Sequence, residues 1–284
     1  MSEASRRLAP IGVFDSGVGG LTVLKALMTQ LPHERFVYLG DTARLPYGTK
    51  SPETVARYSL QAAEALTDYG VKCLVIACNT ASSVGLASIR AHIENVPIIG
   101  VIEPGAHAAC DASRSGHIAV IATEGTVRGG AYQRAILSIR PDACVNAEPA
   151  PLFVALAEEG LHEGPIADEV AGHYLRPLFA PKTVHPNCSG APFPDTLVLG
   201  CTHFPMLAGA IRRVVGEEVR IVDSAQTTAS RVATQLEEVG LAADPKQRGS
   251  VRLLATDGLE RFARVGSRFL ERSIAADDVE LVDL

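Results

Sequence analysis

Short runs of apolar residues alternate with segments of helical periodicity along almost the whole chain. The apolar runs are rich in Val and Ile, which is typical of strands buried on both faces of a sheet. They predict strands at 11–14, 36–39, 73–77, 98–102, 118–122, 196–199, 219–222 and 251–255. The periodic segments predict helices at 21–31, 52–69, 82–94, 127–139, 166–179, 204–215, 225–238 and 259–269. This alternation predicts an α/β fold with parallel sheets.

Two weak internal similarities predict that the chain contains two related α/β units. The segment 74–80, LVIACNT, resembles 197–203, LVLGCTH, and 11–17 resembles 118–125. Each segment is an apolar strand followed by polar residues. Because open α/β sheets bind ligands at the carboxyl ends of their strands, two such units facing each other would enclose a small ligand between two cysteines.

The length and charge of the chain limit the classes of protein to which it can belong. Its 284 residues correspond to two domains of about 150 residues each, and we expect a first domain at 1–100 plus 210–284 and a second at 101–209. The net charge is −6 and no Lys/Arg-rich run occurs, which argues against nucleic acid or anionic lipid as a partner. The sequence pattern predicts neither a membrane span nor a signal-peptide core. We expect a cytoplasmic protein with a small-molecule substrate and a homodimer as a possible assembly.

Six cysteines are present, and their spacing in a chain of this size is not that of a disulfide framework. Cys78 and Cys201 differ from the others because each ends a predicted strand, precedes a predicted helix and is followed by two hydrogen-bonding residues. A helix N-terminus favours the thiolate, which would make both cysteines reactive. The plainer interpretation of any single cysteine is a small buried hydrophobe. No spacing of zinc-binding type occurs, so we expect no metal.

Two loops that follow predicted strands carry polar groups suited to an anionic ligand. Asp15-Ser16 opens a glycine-rich turn whose N–H groups can approach an anion, or the turn is simply capped by Asp15. It lacks the nucleotide-binding spacings GxGxxG and GK[ST], so no nucleotide is expected. In the second loop, backbone N–H groups near Tyr47 and Gly48 could hold a carboxylate with the Tyr47 phenol as a further donor. Alternatively, that loop is only a turn capped by Asp41.

Seven motifs together resemble the bacterial glutamate racemases: VFDSGVGG, YLGDTARLPYG, ACNTAS, GVIEPG, ATEGTVRGGAY, LFVALAEEG and LVLGCTHFPML. They occur in the order of that family, with a fainter echo at 256–262. The resemblance implies a racemase that uses no cofactor. It also implies two pseudo-symmetric α/β domains, each with a parallel sheet, and an active site in the cleft between them.

The resemblance also implies roles for individual residues that share the family's motifs. Cys78 and Cys201 fall at the two catalytic acid/base positions. Asp15 falls where a carboxylate assists the first cysteine, His203 falls at the partner of the second, and Glu158 matches a nearby catalytic carboxylate. The positions implied to bind substrate are Asp15, Ser16, Tyr47, Gly48, Asn79, Thr80, Thr202 and His203.

Some features of the chain gain less from the resemblance. Asp41 and Thr123 fall in family motifs but receive no definite role. The segment 151–160 on its own predicts only an amphipathic helical turn with solvated glutamates, so the role of Glu158 depends on the resemblance. A proline-rich insertion around 185–194 departs from the family pattern, and it predicts a surface loop.

The implied reaction follows elementary proton-transfer chemistry. Racemisation removes the Cα proton on one face and returns a proton on the other, so two groups must hold different protonation states, one thiolate and one thiol. The resemblance implies that Cys78 deprotonates D-glutamate and Cys201 deprotonates L-glutamate, with D-glutamate supplied to peptidoglycan synthesis.

Two alternatives remain open from the sequence. One is a racemase of the aspartate or hydantoin type from the same superfamily, against which the DSGVGG and LPYG motifs favour glutamate. The other is a non-catalytic protein that binds an acidic ligand on the same fold, and the presence of both cysteines argues against it.

Overall fold

The computed structural model describes residues 3–180 and 193–284 of the chain. The strands are β1 (Ile11–Asp15), β2 (Arg35–Gly40), β3 (Cys73–Ile76), β4 (Ile98–Gly100), β5 (His117–Ala122), β6 (Cys144–Pro149), β7 (Thr196–Gly200), β8 (Arg220–Asp223), β9 (Ser250–Ala255) and β10 (Val279–Leu281). The helices are α1 (Glu3–Leu8), α2 (Leu21–Gln30), α3 (Pro52–Thr67), α4 (Asn79–Val84), α5 (Leu86–His92), α6 (Ile102–Ala112), α7 (Glu124–Gly129), α8 (Ala131–Ile139), α9 (Leu152–Glu159), α10 (Pro165–Leu178), α11 (Ala208–Val215), α12 (Ser224–Glu238) and α13 (Leu259–Leu270). Single 3₁₀ turns lie at Tyr47–Thr49, Phe204–Leu207 and Ala276–Asp278.

The strands form two sheets, and neighbouring strands in both sheets are parallel. The first sheet has the order β10-β9-β2-β1-β3-β4 and the second has the order β6-β5-β7-β8. Strands β1, β3, β5 and β7 are buried along their whole length, as expected for central strands covered by helices on both faces. The predicted α/β fold with two parallel-sheet domains is confirmed.

The two sheets share one strand order, which accounts for the internal similarity in the sequence. The order β2-β1-β3-β4 in the first sheet repeats as β6-β5-β7-β8 in the second. Segment 74–80 begins on β3 and segment 197–203 begins on β7, so the two similar segments start on equivalent central strands. Cys78 and Cys201 therefore follow equivalent strands of the two units.

The chain divides into two compact units at positions that differ from the expected ones. The first unit comprises Met1–Val101 and Ala225–Leu284, and the second comprises Ile102–Ser224. We expected the second unit to end at residue 209. It continues to Ser224 because β8 pairs with β7 and because α11 packs against α10 of the same unit.

Several predicted elements differ in detail from those in the structure. The helix predicted at 82–94 begins earlier, at Asn79, and is interrupted at Gly85, so that it forms α4 and α5. The helix predicted at 127–139 is interrupted at Gly130, whose φ of 62° lies in the left-handed region that glycine tolerates. Strands β6 and β10 were not predicted, because β6 carries polar residues and β10 has only three residues. Both are edge strands, which need not be apolar throughout.

One predicted helix start is confirmed by its capping hydrogen bond. The Ser51 side chain accepts the Thr54 N–H at the start of α3, and Pro52 occupies the first helical position. Most of the proline-rich insertion, and Cys188 with it, lies outside the described residues. Within the described part of the chain, no helix is long and apolar enough to cross a membrane.

Candidate functional site

Polar side chains gather where β1, β2 and β3 of the first unit end. Asp15 is the last residue of β1, Asp41 directly follows β2, and Cys78 follows β3 by two residues. These three strands are neighbours in one parallel sheet, so their carboxyl ends lie along the same edge. We call Asp15, Ser16 and Cys78 the first-unit cluster.

Cys78 in the first-unit cluster is held by main-chain and hydroxyl contacts. It is the N-cap residue of α4, and its sulfur accepts the Ala81 N–H at 3.4 Å. The Ser16 hydroxyl oxygen lies 3.5 Å from the same sulfur. An N–H directed at the sulfur stabilises negative charge on it, as the thiolate form requires. The side chain is only 5% exposed, so solvent contributes little to this stabilisation.

Asp15 is buried and organises the glycine-rich turn that follows it. Its Oδ2 atom accepts the Gly17 N–H at 2.9 Å, and its carbonyl oxygen accepts the Asp41 N–H at 3.0 Å. A Cβ atom on Gly20 would lie 2.4 Å from the Asp15 Cβ, so only glycine permits the chain to pass this closely. The plainer interpretation of the motif, a tight turn capped by Asp15, is thus confirmed. Assistance by Asp15 to Cys78 stays a prediction.

Asp41 is a buried acceptor that ties together the loop after β2. Its Oδ2 atom accepts hydrogen bonds from the Tyr47 hydroxyl and from Arg44 Nε, the latter at 2.7 Å. Its Oδ1 atom accepts the Thr256 hydroxyl at 3.0 Å. These bonds join the loop to the end of β9, which is more than 200 residues away in sequence. Asp41 therefore does more than cap a local turn.

The structure corrects the expected role of the Tyr47 phenol. We expected this hydroxyl to be a donor to a bound carboxylate, but Tyr47 is 1% exposed and its hydroxyl donates to Asp41. Burial, followed by the charge and hydrogen bond of Asp41, raises the pKa of Tyr47 far above its usual range, so the phenol stays protonated. Any contribution of Tyr47 to binding must come from the main chain at Tyr47-Gly48, which forms a 3₁₀ turn.

Asn79 and Thr80 lie at the start of α4, directly after Cys78. Both residues are buried, although their side chains are polar. Buried polar side chains cost free energy unless they have polar partners, so packing alone does not account for them beside the thiol. Their binding of substrate remains a prediction.

The second unit carries its own cluster, formed by Cys201, Thr202, His203 and Glu158, which we call the second-unit cluster. His203 Nδ1 lies 3.8 Å from Cys201 Sγ and 3.4 Å from Thr202 Oγ1. His203 Nε2 lies 3.1 Å from Glu158 Oε1. The imidazole thus joins a thiol on one side to a carboxylate on the other. The sequence did not link Glu158 to His203 except through the resemblance, because the two are 45 residues apart.

The environment of His203 favours the imidazolium. Burial alone would lower its pKa, but hydrogen bonds to Cys201 and Glu158, together with their negative charges, raise the pKa of His203 to about 10. At neutral pH the ring therefore carries a positive charge next to the Cys201 sulfur. The structure therefore places a cation 3.8 Å from the Cys201 sulfur.

Aromatic packing holds the helix that carries Glu158. Phe153 on α9 and Phe204 after Cys201 are both fully buried, and their rings meet edge to face with centroids 5.2 Å apart. This contact fixes α9 against the turn that follows Cys201. Glu158, in the last turn of α9, is placed within reach of His203 as a result.

The turn after Cys201 differs from the prediction of a helix starting at residue 204. Phe204–Leu207 forms a 3₁₀ turn, and α11 begins only at Ala208. The reason is Pro205, which disfavours α-helical backbone at Phe204. Cys201 therefore does not lie at an α-helix N-terminus, and the charge beside it comes from His203 instead.

Thr123, Cys73 and Tyr38 lie outside the two clusters as defined above. Thr123 caps α7 by accepting the Thr126 N–H at 3.3 Å, which is a structural role. Cys73 is fully buried in β3, as predicted for a cysteine that serves as a hydrophobe. Sequence reasoning missed Tyr38, although a lone tyrosine in an apolar strand is a signal, since its hydroxyl needs a partner when buried.

Among the described residues, no group of three or more His, Cys, Asp or Glu side chains is placed to hold a metal ion.

Replacing Tyr47 by Phe tests the corrected role of the phenol. The substitution removes one of the hydrogen bonds to buried Asp41, so we expect the free energy of unfolding to fall by about 1 to 3 kcal/mol. Urea unfolding measures this change. Tyr69→Phe, at a half-buried tyrosine of the same unit, is the control. A loss no larger than that of the control would contradict the role of Tyr47 in holding Asp41.

The raised pKa of His203 predicts a specific dependence of stability on pH. A folded-state pKa of about 10, above the ordinary 6.5, gives stability that is fully present below pH 6.5 and is lost as the pH rises through about 10. The unfolding free energy of the wild type should therefore exceed that of His203→Gln most at about pH 6 and least above about pH 10. Titration of the His203 ring by NMR should give a midpoint near 10 that Glu158→Gln lowers. An ordinary midpoint that Glu158→Gln leaves unchanged would contradict the assignment.

Comparison with known proteins agrees with this arrangement. Residues 11–178 match the family model of the Asp/Glu/hydantoin racemases. A glutamate racemase from Geobacter metallireducens is 48% identical over 260 residues, which are 92% of each chain. The crystal structure of glutamate racemase isoform RacE1 from Bacillus anthracis superposes with a TM-score of 0.88 at 36% identity, covering 97% of this chain and 98% of that one. A glutamate racemase from Francisella tularensis in complex with D-glutamate gives a TM-score of 0.86 at 34% identity, covering 98% of both chains. The chain therefore belongs to the Asp/Glu/hydantoin racemase family and, within it, to the glutamate racemases.

Proposed function

We propose that this protein interconverts L-glutamate and D-glutamate by proton transfer at Cα between the substrate and two cysteines, Cys78 and Cys201, without a cofactor. The observation that carries the proposal is that each thiol follows an equivalent strand of its unit and has its own means of stabilising a thiolate. Two relatives named glutamate racemases, one of them in complex with D-glutamate, support glutamate as the substrate.

The proposed reaction uses one thiolate and one thiol at a time. The thiolate takes the Cα proton, and the electron pair of the broken C–H bond stays on the substrate. The opposite thiol then donates its proton to the other face of Cα, which leaves the two cysteines in exchanged protonation states. In our assignment Cys78 deprotonates D-glutamate and Cys201 deprotonates L-glutamate. A thiol suits both tasks because its ordinary pKa lies close enough to neutrality for it to accept and to donate a proton.

The two cysteines would be supported in different ways. For Cys78, the Ala81 N–H and the Ser16 hydroxyl contact the sulfur directly. Asp15, the residue before Ser16, would assist by holding the turn that carries Ser16. For Cys201, the His203 imidazolium supplies a full charge, and Glu158 keeps that imidazolium protonated. Hydrogen bonds and fixed charges of this kind stabilise the thiolate without rearrangement during the reaction.

The remaining polar residues would hold the substrate and stabilise charge that develops on it. Removal of the Cα proton places negative charge on the carbon and on its carboxylate, and no cofactor ring is available in this proposal to accept the charge. We assign substrate contacts to Ser16, Asn79, Thr80 and Thr202, with the main chain at Tyr47-Gly48. Ser16 and Thr202 come after the ends of β1 and β7, Asn79 and Thr80 begin α4, and Tyr47-Gly48 lies in the 3₁₀ turn after β2.

The proposed activity also indicates the setting in which the protein works. D-glutamate is a building block of peptidoglycan, so we propose that the enzyme supplies cell-wall synthesis from the cytoplasm and, through that supply, maintains cell shape. A homodimer is the assembly we propose. Size-exclusion chromatography with light scattering distinguishes a dimer from a monomer.

Serine substitutions at the two cysteines test the mechanism. An alcohol is far too weak an acid to serve as a resting base, so Cys78→Ser and Cys201→Ser should each lose glutamate racemisation by about 100-fold or more. With glutamate that carries chloride on the β-carbon, removal of the Cα proton expels chloride and needs no returned proton. We expect Cys78→Ser to eliminate HCl from the L substrate only, and Cys201→Ser from the D substrate only.

Controls make the outcome decisive. Cys110→Ser, at a cysteine outside both clusters, should keep both activities. The assays use protein dialysed against EDTA, with no pyridoxal phosphate added, and include L-aspartate and D-aspartate as competing substrates. Full racemisation by either serine variant would remove that cysteine from the mechanism. Faster racemisation of aspartate than of glutamate would reassign the substrate.

A further inference from the structure

Tyr38 lies in β2 beneath the first-unit cluster, and it is fully buried. Its hydroxyl donates a hydrogen bond to the Gly17 carbonyl oxygen at 2.9 Å. Its ring packs against that of Phe262, with centroids 6.1 Å apart. The aromatic ring thus belongs to the core of the first unit, while the hydroxyl contacts the turn that carries Asp15 and Ser16.

Space as well as hydrogen bonding fixes the Gly17 carbonyl. A Cβ atom on Gly40, two residues after Tyr38, would lie 2.3 Å from the Gly17 oxygen, so the carbonyl occupies the volume that a side chain would need. Meanwhile the Gly17 N–H donates to Asp15 Oδ2 at 2.9 Å. Both polar groups of the Gly17 main chain are therefore engaged, one by Asp15 and the other by Tyr38.

We propose that Tyr38 is a positioning residue for proton transfer by Cys78. Its hydroxyl fixes the Asp15–Gly17 turn, and this turn holds the Asp15 carboxylate and the Ser16 hydroxyl in position to act on Cys78. The inference rests on the proposed function, which makes Cys78 an acid/base group. It adds a residue that touches neither the reacting carbon nor the sulfur. Its effect passes through Gly17 to the groups on either side of Ser16.

The chemistry of the phenol fits a fixed donor and not a second acid. Burial, followed by the negative charges of Asp15 and Cys78, raises the pKa of Tyr38 well above its usual range. The hydroxyl consequently keeps its proton at neutral pH. Because the phenol does not release its proton, it can influence Cys78 only through the position in which it holds the turn.

This role predicts an effect on one substrate configuration. Loss of the hydroxyl leaves the buried Gly17 carbonyl without this donor, so the turn can shift and Ser16 and Asp15 lose their placement. The second-unit cluster does not share these contacts. Proton removal by Cys78 should fall, while removal by Cys201 should stay at the wild-type rate.

The test compares Tyr38→Phe with the wild type and Cys78→Ser in the elimination of HCl from D- and L-glutamate carrying β-chloride. Because elimination is irreversible, the rates for the two configurations are independent, which is not so for the two directions of racemisation. Tyr38→Phe should lower kcat by about fivefold to twentyfold for the configuration that Cys78→Ser loses. For the other configuration it should change kcat by less than about twofold.

Tyr132→Phe is the matched control. Tyr132 is equally buried but lies on α8 of the second unit, where its ring is close to Gly200, the residue before Cys201. A loss of stability that followed simply from removing a buried hydroxyl would occur in both variants. Only Tyr38→Phe should lower the elimination rate of the configuration that Cys78 deprotonates relative to the rate of the other configuration.

The outcomes separate this inference from the function on which it rests. If Cys78→Ser selects one configuration but Tyr38→Phe lowers both rates equally or neither, Tyr38 has only a structural role and the inference is wrong. If Cys78→Ser loses neither elimination, the two-cysteine proposal itself fails, and the assignment of Tyr38 fails with it. If Tyr38→Phe, but not Tyr132→Phe, shifts the ratio of the D and L elimination rates in the same direction as Cys78→Ser, the result supports both the two-cysteine mechanism and the role of Tyr38.

Discussion

Burial of both faces of each sheet is the constraint on which the site depends. Central strands covered by helices on both sides must be apolar along their length, because an unpaired polar group inside would cost several kcal/mol. Polar side chains are therefore confined to the strand ends and to the turns that follow. In each unit a cysteine occurs within two residues of the end of the strand β3 or its equivalent β7, where it is largely buried but surrounded by donors. The fold thus creates two places where a thiolate can be stabilised away from bulk water.

The two units surround their cysteines with different groups, which in the proposed mechanism stabilise the thiolates. Near Cys78 the stabilising groups are neutral dipoles, a main-chain N–H and a hydroxyl, held by a turn that Asp15 caps. Near Cys201 the stabilising group is an imidazolium kept charged by Glu158. The difference has a local origin, since α4 starts at Cys78 whereas Pro205 delays the helix after Cys201. Equivalent positions in a repeated fold therefore need not have equivalent surroundings.

The sequence predicts the strands and helices of the protein well because they depend on the local pattern of apolar and polar residues. Apolar runs identify the central strands, and the polar residues after them identify both cysteines and the turn at Asp15. Contacts between distant segments are not visible in this way. The hydrogen bond from Thr256 to Asp41 joins residues 215 positions apart, and no local pattern shows that it exists. For the same reason the Tyr47 phenol was assigned to a ligand when its actual partner is Asp41.

The central claim, proton transfer by two bases on opposite faces of one carbon, is tested most directly by running the reaction in D₂O from pure L-glutamate. A thiol exchanges its proton with solvent, so the acid that completes each turnover delivers deuterium. With two bases, newly formed D-glutamate should carry deuterium at Cα while the remaining L-glutamate keeps its original proton early in the reaction. Deuterium entering the remaining L-glutamate as fast as it enters the product, or D-glutamate that retains the original proton, would contradict it.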